Sequence, residues 1–193
     1  MTGLAQRTMS LLSNQFSIFN IDRAGASLHG RVGGQGAPLL LLHGHPQSHV
    51  MWHLVAPELA GRYTVVMMDS RGYGDSGRPQ SDASHTVYSK REMALDAIAV
   101  MKHHGFERFQ VLAHDTIDLD HDRLDIAARR KLQQPLRVLW GEQGAVGQCF
   151  NVLALWRERA SQVDGTAVSC GHYIAEEAPA VLLDEAFQFF RSE

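Results

Sequence analysis

Cysteine is scarce: Cys149 and Cys170 are the only two in 193 residues, and they form no C-x-x-C pair. That excludes a disulfide framework and a zinc ribbon, and it fits a reducing cytoplasm. Basic charge is in short supply too. Eighteen Lys and Arg stand against 21 Asp and Glu, for a formal net charge of -3. No field is available to hold a phosphate backbone, so nucleic acid is not an expected partner. Nowhere do the roughly 18 apolar residues of a membrane span run together, and residues 1–13 hold no signal-peptide apolar core. The expectation is a cytoplasmic protein without membrane contact. Phosphate-binding loops are missing as well, since no G-x-G-x-x-G opens a helix and no Gly-Lys-Ser or Gly-Lys-Thr occurs.

What is present is ordinary for a globule. Hydrophobic residues make up 45% and charged residues 20%, which supports one packed core in a chain of this length. Residues 15–34 alternate loosely around Asp22-Arg23-Ala24-Gly25 and read as an antiparallel hairpin. Leu39-Leu40-Leu41-Leu42, closed by His43-Gly44, is the apolar run of a strand buried on both faces of a parallel sheet. A helix is expected over 50–59, a second buried strand over 63–68, and an amphipathic helix over 89–104 with Met93, Ala94, Ala97, Ile98 and Met101 inward. Further strands are expected at 109–113, 136–140 and 163–169, with helices at 149–160 and 181–190. The alternation predicts an α/β class: a doubly wound, mostly parallel sheet led by an antiparallel hairpin. Between Asp115 and Gln134 the pattern fails. Residues 116–125 are polar and acidic, a short helical piece comes after them, and no apolar strand run is present.

Four motifs sit where this architecture places chemistry. His43-Gly44-His45-Pro46 succeeds a buried strand, where the amide after the Gly can stabilise a developing negative charge; it also reads as a plain turn. Asp69-Ser70-Arg71-Gly72-Tyr73-Gly74 succeeds the next strand, with Asp69 and Arg71 expected to pair and fix the loop. His114-Asp115 closes the third strand at the carboxyl edge of the sheet, making Asp115 a candidate nucleophile or an ordinary cap of the next segment. Cys170-Gly171-His172-Tyr173 comes after the last strand, where a His can serve as general base, though a lone His is often a surface residue. Asp118-x-Asp120-x-Asp122 imitates a calcium loop, but Arg123 replaces its Gly and Arg129 its Glu, so no metal is expected.

Taken together, His43-Gly44-His45-Pro46-Gln47 with Trp52, Asp69 to Gly74, Tyr88-Ser89-Lys90-Arg91-Glu92-Met93-Ala94 with Asp96, His114-Asp115, Trp140-Gly141-Glu142 and Gly171-His172-Tyr173 resemble the haloacetate (fluoroacetate) dehalogenases of the α/β-hydrolase superfamily. The resemblance implies a small haloacid-like substrate and no cofactor. It also implies catalysis by Asp115 and His172, with His45, His114 and Trp52 in the oxyanion or substrate pocket. Epoxide hydrolases share the Asp nucleophile, so an epoxide hydrolase or esterase-like activity is the alternative.

The chain departs from the family after Asp115, where Thr116 and Ile117 replace an Arg and glycines. β-Branched Ile117 crowds a turn that needs small residues. Missing are the next helix, the strand with the triad acid and most of the cap. The triad acid is unassigned, with Glu142 after the right strand. An internal deletion between Asp115 and Thr116 accounts for this. It leaves one domain over 1–193: 1–115 and 135–193 as halves of the core, and 116–134 as the remnant of the cap-to-core connection. Weak or lost activity is expected. A further alternative is a non-catalytic remnant that self-associates into a homo-oligomer or captures a partner. The strands at 109–113 and 136–140 are expected to pair directly across the gap, in a protein of marginal stability.

Overall fold

The computed structural model describes residue 12, residues 14–114 and residues 127–190. The chain divides into two compact units, Met1–Asp118 and Leu119–Glu193.

In the first unit the hairpin forms as expected. Strand β1 (Phe16–Arg23) pairs antiparallel with β2 (Ala26–Gly34), turning through Ala24 and Gly25, both at positive φ. β3 (Ala37–Leu42) and β4 (Tyr63–Met68) are parallel neighbours, and β5 (Gln110–Ala113) adds to the far side of β3. The sheet order is β1-β2-β4-β3-β5. Leu39 to Leu41 and Val65 to Met68 are sealed from solvent, which is why both strands read as unbroken apolar runs. One sheet face carries Leu40, Val66 and Met68 against Ala97, Val100 and Met101.

The helix expected over 50–59 is broken in two. A 3-10 helix, His49–Leu54, is succeeded by the single turn α1 (Ala56–Leu59), with Pro57 in its first turn. Pro57 has no N–H to continue the ladder, so the chain must restart there. Helix α2 (Lys90–His103) is opened by Ser89, whose hydroxyl accepts the Glu92 N–H as the Ser-x-x-Glu spacing dictates. Its buried face is Asp96, Ala97, Val100 and Met101, whereas Ala94 is exposed and Ile98 is 40% exposed. The expected inward face is therefore rotated, because Asp96 turns toward a buried arginine.

In the second unit β6 (Leu136–Gly141) and β7 (Val163–Val168) form a parallel pair. Helices α3 (Ala145–Cys149) and α4 (Val152–Arg159) connect them, α4 being opened by Asn151, which accepts the Ala154 N–H. After β7 come the single turn α5 (Ile174–Glu177) and α6 (Pro179–Phe189).

The expected pairing of 109–113 with 136–140 is not among the strand pairs of the described residues. β5 pairs only with β3, and β6 only with β7, among the described residues. Ahead of β6 the same pairing is extended: Leu132 bridges to Ala160, exchanging backbone hydrogen bonds with Arg159 and Ser161.

Candidate functional site

The strand order of the first unit reverses at β3. From β3 the chain moves to β4 on one side, then returns across β3 to β5 on the other. In open parallel sheets such a reversal leaves an opening at the carboxyl ends of the strands. There β3 delivers His43-Gly44-His45, β4 delivers Asp69-Ser70-Arg71, and β5 delivers His114, whose N–H donates to the Leu42 carbonyl at 2.9 Å. Asp115, the next residue and the candidate nucleophile, lies outside the described residues, as do Asp118, Asp120 and Asp122.

His43 is 3% exposed and knits these strand ends together. Its Nε2 accepts the Ser70 N–H at 3.0 Å, so its proton sits on Nδ1, which donates to the Gly44 carbonyl at 2.9 Å. The Gln47 N–H also reaches the Gly44 carbonyl, closing the turn around the cis His45–Pro46 peptide. Burial holds His43 below the ordinary histidine range, against the pull of the Gly44 carbonyl and Asp69. His45 is exposed, with its Nδ1 3.2 Å from the Tyr73 hydroxyl, and Tyr73 packs edge-on to both His43 and His45. Trp52 lies in the 3-10 helix and is 1% exposed; its indole N–H has no hydrogen-bond partner among the described residues.

The expected Asp69–Arg71 pair does not form; each fixes the loop after β4 through other partners. Asp69 accepts the backbone and ring N–H groups of His49 at 2.7 and 2.8 Å and the Asp75 N–H at 2.9 Å. Burial opposes ionisation of Asp69, but these bonds outweigh it and hold the carboxyl below its usual range. Gly74, at φ +47°, makes room: a Cβ there would lie 2.1 Å from Asp69 Oδ2. Arg71, fully buried, instead forks onto Asp96 with two bonds of 2.6 Å, while Arg23 joins Asp96 at 2.8 Å and Glu92 at 2.9 Å.

In the second unit His172 comes after β7, half-buried and packed edge-on to Tyr173 with ring centroids 5.0 Å apart. The loop leans on the end of β6, where the Gln143 N–H donates to the Cys170 carbonyl at 3.0 Å. A Cβ at Gly141 would stand 1.6 Å from the Gly171 oxygen, so glycine is required there. Glu142 is exposed after β6. Sequence reasoning missed Glu177, whose carboxylate accepts the Gly171 and Tyr173 N–H groups. Its signal was an acid placed one helical turn beyond Tyr173. The His49–Asp69 contact spans 20 residues and left no signal in the local pattern.

Comparison with known proteins agrees with this geometry. The family described as alpha/beta hydrolase fold matches residues 37–116, a stretch that includes the carboxyl ends of β3, β4 and β5. A fluoroacetate dehalogenase of Burkholderia sp is 48% identical over 95 residues, covering 49% of this chain and 31% of that protein. A soluble epoxide hydrolase of Corynebacterium sp. (strain C12) is 42% identical over 91 residues, covering 47% and 30% respectively. The chain thus spans about a third of the length of these curated relatives. Among solved structures, a candidate epoxide hydrolase from Pseudomonas aeruginosa superposes with a TM-score of 0.83 at 25% identity, covering 94% of this chain and 97% of that one. ALR0039 from Nostoc sp PCC 7120, a candidate alpha/beta hydrolase, superposes with a TM-score of 0.88 at 30% identity, over 94% of this chain and 100% of that one. With a match of that extent and the parallel strands ordered around β3, the chain belongs to the α/β-hydrolase fold family.

Proposed function

We propose that the chain descends from a haloacetate dehalogenase and retains weak turnover or none. The observation that carries this is the 48% identity to fluoroacetate dehalogenase over 95 residues. In this reading the Asp115 carboxylate attacks the carbon bearing the halogen. A C–O bond forms, the carbon–halogen bond breaks, and halide leaves with the electron pair. Water then attacks the ester carbonyl as His172 takes its proton, releasing the hydroxy acid and restoring the carboxylate. The His45 amide faces the developing oxyanion, and His114 and Trp52 complete the pocket. No metal or organic cofactor takes part.

Loss of turnover is a consequence of the surroundings of Asp115. An internal deletion before Thr116 removes the small residues that let a strand turn sharply into a helix and puts β-branched Ile117 second after Asp115 in the sequence. The match to the family ends at residue 116, beside this junction.

The test is halide release from fluoroacetate and chloroacetate by the purified chain and by Asp115→Asn. Release near background is expected. Clear release abolished by Asp115→Asn would overturn the proposed loss of activity, and release indifferent to that change would remove Asp115 from the mechanism. The 42% identity to an epoxide hydrolase favours a second reading, epoxide opening by the same Asp115. Diol formation from epoxides without halide release from haloacids would select it.

A further inference from the structure

The loop carrying His172 is held from two directions. The Gly171 N–H donates to Glu177 Oε2 at 2.6 Å and the Tyr173 N–H to Glu177 Oε1 at 3.0 Å. One carboxylate therefore binds the residues on both sides of His172. A Cβ at Gly171 would stand 2.7 and 2.8 Å from those two oxygens, so a larger residue there would push the carboxylate aside. From the other direction, the Gln143 N–H holds the Cys170 carbonyl, and Gly141 leaves the space that the Gly171 oxygen fills.

A simpler account would have Glu177 tie off the short helix that contains it. That helix does not need it: backbone bonds from Glu177 and Ala178 to the Tyr173 and Ile174 carbonyls, both 2.9 Å, already close α5. The carboxylate reaches back past them to the two amides that flank His172. Hydrogen bonds to an ionised acceptor are about twice as strong as neutral ones. Accordingly the Tyr173 and Gly171 N–H groups, with His172 nearby, hold Glu177 below the ordinary range for a glutamate.

We propose that Glu177 is a positioning residue for His172: by gripping the Gly171 and Tyr173 amides it fixes the backbone that carries the imidazole and sets its direction. The Tyr173 ring, edge-on to His172, is fixed by the same grip. The inference deepens the proposed function, since it rests on His172 being the base, but its readout needs no turnover.

The experiment is amide and imidazole NMR on the full 15N-labelled chain and on Glu177→Gln and Glu177→Asp. In the parent chain the Gly171 and Tyr173 amide protons should shift together, with one midpoint below the usual glutamate range. In Glu177→Gln that shared titration should vanish and both amides should exchange on the order of tenfold faster. The His172 ring signals should move while β7 and α6 amides stay in place, and Glu177→Asp should recover part of the titration. Gly171 and Tyr173 amides indifferent to acid, or His172 ring signals identical in parent and Glu177→Gln, would overturn the proposal. Absent halide release bears on the proposed function alone, because the amide titration is expected in an inactive chain as well.

Discussion

At the scale of single residues, the largest electrostatic commitment in the first unit is the contact of Arg71 with Asp96, both fully buried. Breaking a buried pair leaves an uncompensated charge out of water. Asp96→Ala is therefore expected to cost about 3–5 kcal/mol, read as a lower denaturation midpoint. A loss under about 1 kcal/mol, the size of an exposed pair, would refute the assignment. His43 and Asp69 supply two acid-sensitive windows. The folded pKa of His43 is depressed by burial, so its contribution is full above the ordinary histidine value near 6.5 and fades as pH falls below it. Asp69 is depressed by its hydrogen bonds, so its contribution is full above the usual carboxylate range and fades through its lower folded value. The stability gap between the parent and Asp69→Asn should thus be widest near neutral pH and shrink below about pH 4. A gap constant from pH 7 to pH 3 would show that Asp69 is not held ionised by its partners.

At the scale of elements, β5 is the exposed one. Val111 is 45% exposed and Ala113 is exposed too, on a strand that pairs on one side only among the described residues. Apolar edges of this kind recruit other strands. Val111→Lys should reduce light scattering by the purified chain while changing stability by less than about 0.5 kcal/mol, as for most exposed positions. Unchanged scattering would move the sticky surface elsewhere, for instance to Phe150 and Trp156, exposed by 59% and 41%. The central strands were legible in the sequence because burial on both faces leaves an unbroken apolar run, as at Leu39 to Leu42. Helix α2 was legible in extent, since Ser89 and Glu92 cap it, but not in orientation. Its facing depends on Asp96 meeting Arg71, 25 residues away in sequence, and periodicity reads Asp96 as a polar residue to be turned outward. The pairing of β5 with β6 was misjudged for a related reason: strand patterns show which residues form strands, not which strands they meet, and β5 pairs with β3 and β6 with β7 among the described residues.

At the scale of the whole molecule, stability is a small difference, about 5–15 kcal/mol for natural domains, and several features here draw it down. The indole N–H of Trp52 and the Nε2 of His49 are buried without a hydrogen-bond partner among the described residues. Each such group costs about 1–3 kcal/mol, so the pair removes about 2–6 kcal/mol that a fully satisfied interior would keep. Among the described residues β5 carries the exposed Val111 and pairs on one side only. The buried runs of β3 and β4 and the Arg71–Asp96 pair work in the other direction, which argues for a folded but marginal protein rather than an unfolded one. The expected thermal transition of the purified monomer lies below about 60 °C, within the mesophile range. Calorimetry at two or more protein concentrations separates this from stabilisation by self-association, since a midpoint that rises with concentration belongs to the oligomer. A single cooperative transition above about 60 °C, independent of concentration, would mean that the orphaned groups and the open β5 edge are satisfied in solution. The marginal-stability expectation would then fall.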